Sequence, residues 1–207
     1  MIRVLHIVAG VWKESGGLAT VVLGFAKEQA HAGHGVTLAF LEGDRHSGLA
    51  IAEQEGVKVV TFKRSWPYAL YFSWGMLFKL AKTMKDADVV HVHSNWTFPV
   101  WWGAWLALRH QKTLVMSPHG CLDPVRLKHS GWKKAAVGWI DRGLLRRASV
   151  VHATCEEEKR WVQAFLKLET GSAFAMPTAD KYLKLGGALR AESPRIVVIP
   201  NGVEKCQ

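Results

Sequence analysis

The sequence predicts an α/β fold: a Rossmann-like, open, mainly parallel sheet with helices on both faces. Three observations carry this. Short runs rich in Val, Ile and Leu recur at residues 4–8, 36–41, 57–62, 89–92, 113–117, 150–153 and 196–199. Most are continuously apolar, as strands are when both faces of a sheet are covered. Between them lie longer segments whose apolar residues return every three or four positions, and strands alternating with helices build a parallel sheet.

Each element has its own signals. The first strand lies in Met1-Ile-Arg-Val-Leu-His-Ile-Val-Ala-Gly10. Its apolar run is short and leads into glycine-rich polar sequence, which argues against a signal peptide. The helix over 18–32 keeps Val21, Val22, Phe25, Ala26 and Gln29 close together, and Gly33 and Gly35 end it. A second helical pattern covers 68–84. The longest apolar run, 96–108, contains Pro99 and Gly103 and falls short of the roughly 18 residues of a membrane span, so it reads as a core or interfacial helix. Asp123-Pro124 offers an N-cap and a first-turn proline. Residues 133–147 and 156–168 are helical by spacing, and Thr154-Cys-Glu-Glu157 reads as a capping box. Residues 169–194 are too long for an ordinary connection of about 2–6 residues and read as an excursion with a short helix. A last strand runs into Pro200-Asn-Gly202. One domain is expected over 1–203.

Composition narrows the class. At 207 residues, 49% apolar and 21% charged, the chain fits one ordinary globular domain. Its formal charge of +10 favours phosphates, whether of nucleic acid or of an anionic membrane. Cys121, Cys155 and Cys206 are scattered, which argues against a disulfide framework or a zinc site and for a reducing, cytoplasmic compartment.

Ligands of open parallel sheets bind where strands run into helices, so the loops after the strands carry most weight. Gly16-Gly17 stands directly before a helix and would let backbone amides approach an anion, although on two glycines alone a tight turn is the favoured reading. Neither Gly-x-Gly-x-x-Gly nor Gly-Lys-Ser/Thr is present there, which disfavours a dinucleotide or ATP site. In Asp88-Val-Val-His-Val-His-Ser-Asn95, His91 and His93 share one face of a strand. No carboxylate or cysteine stands at ligand spacing, so hydrogen-bonded sheet histidines are favoured over a metal pair. His93, Ser94 and Asn95 could instead line a polar cleft. His119, in Ser117-Pro-His-Gly120, follows a buried strand; it could donate to a substrate oxygen, act as a base, or simply face solvent. A carboxylate at Glu156 could touch a sugar hydroxyl.

Taken together, the Gly16-Gly17 loop, the Asp88–His93 strand, Ser117-Pro-His-Gly120, the unit over 148–158 and Ile199-Pro-Asn-Gly-Val203 resemble the N-terminal domain of retaining family 4 glycosyltransferases, which have a two-domain GT-B fold. The wording Ser-Pro-His-Gly-x-Leu-Asp-Pro is similar to members that build bacterial surface polysaccharides. The resemblance implies transfer from a nucleotide-sugar to a glycan or lipid-linked acceptor, with retention and with neither cofactor nor metal. It makes His119 the candidate catalytic residue. Gly16, Gly17, His93, Asn95, Glu156 and Asn201 become candidate donor or acceptor contacts. It also implies that the donor-binding domain, with its Glu-x7-Glu motif, is absent. The chain alone is therefore expected to be inactive or weakly active.

Arg126, Lys128, Lys133, Lys134, Arg146 and Arg147 mark a basic surface near several of the ten tryptophans, an expected contact with an anionic membrane face. The alternative is a non-catalytic acceptor- or membrane-binding module that works with a separate donor-binding chain. Nucleic acid is not an expected partner, because the basic residues form no recognition element.

Overall fold

The computed structural model describes residues 1–11, 17–42, 53, 55–128, 131–167 and 194–200, with only the backbone of 131–135. Seven strands form one sheet: β1 (Arg3–Ile7), β2 (Gly35–Leu41), β3 (Lys58–Phe62), β4 (Val89–His93), β5 (Thr113–Ser117), β6 (Val150–Ala153) and β7 (Arg195–Val198). Their order is β3-β2-β1-β4-β5-β6-β7, and every neighbouring pair is parallel. The chain leaves β1 toward β2 on one side and later fills in β4 on the other. That reversal puts the topological switch point between β1 and β4, where such sheets bind ligands.

Six helices with described bounds accompany the strands: α1 (Gly17–His31), α2 (Trp74–Met84), α3 (Phe98–Arg109), α4 (Pro124–Lys128), α5 (Gly131–Arg147) and α6 (Glu156–Lys167). All seven predicted strands and the main helices fall where the hydrophobic pattern puts them. Boundaries differ for local reasons. Gly33, at φ +82°, ends α1, whereas Gly35 opens β2 opposite Arg3. The pattern over 68–84 contains a 3-10 turn at Tyr68–Leu70 before α2, which starts after Ser73 accepts a bond from the Met76 amide. Asp123 Oδ1 accepts from the Val125 amide at 2.7 Å, as a cap before Pro124 should. The predicted excursion over 169–194 lies almost wholly outside the described residues; only Pro194 is among them.

Strand alternation sorts side chains onto two faces. Leu5, Ile7, Val90, Val92, Leu114, Met116 and Val151 join Met76, Leu80, Val100, Leu145 and Val162 from the helices in one apolar core. Val8, Val36, Leu38 and Phe40 pack with Val22 and Ala26 of α1 in another. Helix α3 lies hard against the sheet: a Cβ on Gly103 would stand 2.6 Å from Ile7 Cδ1. On the α1 side, the central strands carry a polar stripe instead of an apolar one: His6, His91, His93, Ser117 and His152, all buried.

Candidate functional site

The stripe is built by register. His6 of β1 pairs with His91 of β4, and His93 pairs with Ser117 of β5. Residues two apart on a strand share a face, so four adjacent strands aim their polar groups at one another. The imidazole rings of His91 and His93 have centroids 4.0 Å apart, and Phe25 of α1 covers His91, His93 and His152.

Two chains of hydrogen bonds run through these rings. In one, Gln29 Oε1 lies 2.8 Å from His6 Nε2, His6 Nδ1 lies 2.8 Å from His93 Nε2, and His93 Nδ1 lies 3.0 Å from His119 Nε2. In the other, His91 Nε2 is 2.7 Å from Ser117 Oγ, which is 2.8 Å from His152 Nδ1, and His152 Nε2 donates to the Ile199 carbonyl at 2.8 Å. Nitrogens of His6, His91 and His93 lie within 4.8 Å of one another, close enough for a metal. Two imidazole nitrogens on one tetrahedral zinc, each about 2.0–2.1 Å from it, would stand roughly 3.3 Å apart. The 2.8 Å between His6 and His93 is instead a hydrogen bond, so the sheet histidines are satisfied by sharing protons.

Burial makes the rings of His6, His91, His93 and His119 neutral at pH 7. It lowers His6 to about 4, partly offset by the bond to Gln29. It holds His91 and His93 well below the usual histidine range, helped by the neighbouring imidazoles. It also lowers His119 to about 4, against the pull of Glu158.

His119 sits on the turn after β5 with φ +51°, followed by Gly120 at φ +72°. Two consecutive left-handed residues need support. Glu158, buried on α6, supplies it. Its Oε1 accepts from the Gly120 amide at 2.6 Å, and its Oε2 accepts from the Thr154 amide and hydroxyl at 2.7 and 2.6 Å. The capping box is thus shifted one residue from its sequence reading: α6 starts at Glu156, and the reaching carboxylate is Glu158 rather than Glu157.

The predicted contacts divide. Gly17 opens α1 at the same rim, where parallel strands β1 and β5 both end. Gly16 and Asn201 lie outside the described residues, as do the side chains of Lys133 and Lys134. His93 and Asn95, expected in a polar cleft, are interior: His93 stands behind His119, and Asn95 Nδ2 donates to Asp141 Oδ1 at 2.8 Å. For Asn95 the reason is Asp141, a buried carboxylate that also takes bonds from Trp96 N and Trp101 Nε1. Burial raises its pKa to about 6 despite those donors. Glu156 is exposed and pairs with Lys159 at 3.2 Å. Arg126, Lys128 and Arg146 are exposed, and Arg147 is half-buried. Arg146 also donates to the Leu166 carbonyl at the end of α6. His6, His152, Asp141 and Glu158 were missed as site residues. Only the alternating period of strands β1 and β6 could have flagged the first two.

The profile of the glycosyl transferase 4-like domain matches residues 16–177. The chain belongs to this glycosyl transferase 4-like family. Solved structures, several of them glycosyltransferases by name, agree on the fold. HepE of Anabaena, in complex with UDP and glucose, superposes with a TM-score of 0.62 at 16% identity, over 99% of this chain and 45% of that one. A glycosyltransferase of Rickettsia africae gives 0.55 at 18% identity, over 98% and 43%. Sucrose-phosphate synthase of Thermosynechococcus elongatus gives 0.56 at 12% identity, over 97% and 48%. This glycosyl transferase 4-like chain therefore spans a little under half the length of its structural neighbours. No curated protein sequence matches it significantly.

Proposed function

We propose that the chain is the acceptor-side domain of a sugar transferase, in which the rim holding His119 and the start of α1 meets the sugar of a nucleotide-sugar donor. The observation that carries this is His119. It is a neutral imidazole on a supported left-handed turn at the ligand-binding edge of the sheet. Family membership supports sugar transfer, and the UDP and glucose named for the HepE structure support a nucleotide-sugar as donor. Transfer with retention, to a glycan or lipid-linked hydroxyl and without a metal, completes the reading. The donor-binding half is taken to lie on another segment or another chain. If that partner chain carries all the chemistry, this domain is a binding module only. Titrating UDP-glucose and GDP-sugars into the 207-residue chain and following tryptophan fluorescence tests the reading. Weak binding with negligible transfer is expected. Robust transfer by the chain alone would overturn the half-enzyme reading, and no response to any nucleotide-sugar would favour the binding module.

A membrane-facing acceptor is favoured by a patch of residues other than those first expected to make that contact. Trp66, Trp74 and Phe78 are 76%, 55% and 74% exposed around the start of α2, with Tyr68 and Leu70 beside them. The rings of Trp74 and Phe78 stack, and Lys63, Lys79 and Lys82 are exposed nearby. Exposed tryptophan beside lysine suits the boundary of an anionic leaflet. No helix among the described residues is long and apolar enough to cross a membrane. Replacing Trp66, Trp74 and Phe78 together by alanine should abolish co-sedimentation with anionic liposomes; equal sedimentation with neutral and anionic lipid would remove the idea.

A further inference from the structure

We propose that Gln29, His6 and His93 form a relay of positioning residues that fixes which nitrogen of His119 carries the proton, and so commits the site to accepting a hydrogen bond from a sugar hydroxyl at Nδ1. The direction of the relay follows from one end. An amide oxygen can only accept, so Gln29 Oε1 requires a proton on His6 Nε2. A neutral His6 then has a bare Nδ1, which requires a proton on His93 Nε2. His93 Nδ1 is therefore bare and requires the proton of His119 on Nε2. What is left to a ligand is the lone pair of His119 Nδ1.

The consequence is chemical. A bare imidazole nitrogen accepts from a hydroxyl and repels the oxygens of a phosphate. The second hydrogen-bond chain does not compete for these nitrogens, because it ends on the carbonyl of Ile199 through His152 and uses only Ser117 and His91. Burial keeps the rings neutral, without which the alternation of donor and acceptor would break. The relay spans α1, β1, β4 and the β5 turn, so a residue on the helix that covers the stripe determines the polarity of the rim. This inference rests on the reading of His119 as a donor-sugar contact only for the identity of the hydroxyl; the proton placement stands by itself.

The test is nitrogen NMR of the histidine-labelled 207-residue chain, with the His119 signals assigned by their loss in His119→Gln. Wild type should show His119 as one tautomer, protonated at Nε2 and bare at Nδ1. Gln29→Glu keeps an acceptor at the head of the relay and should leave that spectrum unchanged. Gln29→Met removes the acceptor at similar volume and should split His119 into both tautomers. A single tautomer in Gln29→Met with unchanged melting, or a proton on Nδ1 in wild type, would overturn the relay. UDP-glucose is added only afterwards: a spectrum that obeys these rules yet ignores the nucleotide-sugar would leave the relay standing and sink the donor-contact reading.

Discussion

Asp141 shows how one side chain sets a pH response. Its folded carboxyl stays protonated up to about pH 6, against an ordinary value of 3.8. Between those values the folded state binds more protons than the unfolded one. The group's contribution to stability therefore falls as pH rises from about 4 to 6, by roughly 3 kcal/mol. Asp141→Asn removes the titration but turns an amide hydrogen toward a donor such as Trp101 Nε1, an offset that does not vary with pH. Thermal melts from pH 4.5 to 6.5 should show the variant gaining on wild type as pH rises; a constant difference would contradict the assignment. Nothing local marks Asp141 in the sequence. It lies in a helix of mixed polarity, and its partners stand 40 or more positions away. By contrast, the shared face of His91 and His93 was legible, because a strand's period of two needs no tertiary knowledge.

At the scale of elements, the rim is an assembly of turns held by helix α6. Glu158 ties the β5 turn to the β6 turn through one carboxylate. Glu158→Ala leaves the Gly120 and Thr154 amides without that partner inside the protein and should cost about 3 kcal/mol, since each buried orphan donor costs roughly 1–3 kcal/mol. Glu158→Gln keeps one acceptor oxygen and should lose about half as much. Urea unfolding of the two variants measures both, and equal losses would mean that a single retained acceptor oxygen contributes nothing. The strands and helices were readable because burial on both faces leaves continuous apolar runs, as at residues 113–117 and 150–153. The carboxylate at the mouth of α6 was misplaced by one residue because Thr154 and Cys155 compete for the cap position, and only the fold decides: the Glu158 amide faces Cys155 Sγ.

For the whole molecule, the histidine stripe governs acid stability. His6, His91, His93 and His119 all have folded pKa values below the ordinary 6.5. The unfolded chain therefore takes up more protons in the window from about 4 to 6.5, and stability falls as pH drops through it. Asp141 acts the other way with a single proton. The net is roughly three protons near pH 5, enough to remove several kcal/mol from a domain whose total is about 5–15 kcal/mol. Urea midpoints at pH 7, 6 and 5 should decline steeply; a level profile would mean that the buried rings are already charged. Net charge and tryptophan content pointed to a basic, aromatic surface around Arg126–Arg147, whereas periodicity could not tell which rings are exposed. Among the described residues most of the exposed rings cluster at 66–78, with Trp139 apart from them, while Trp101, Trp102 and Trp105 pack against the core. A different constraint comes from the contact of Gly103 with Ile7. A larger residue at position 103 would have to turn the tip of the Ile7 side chain aside for α3 to stay this close to β1, so the two positions are expected to change together.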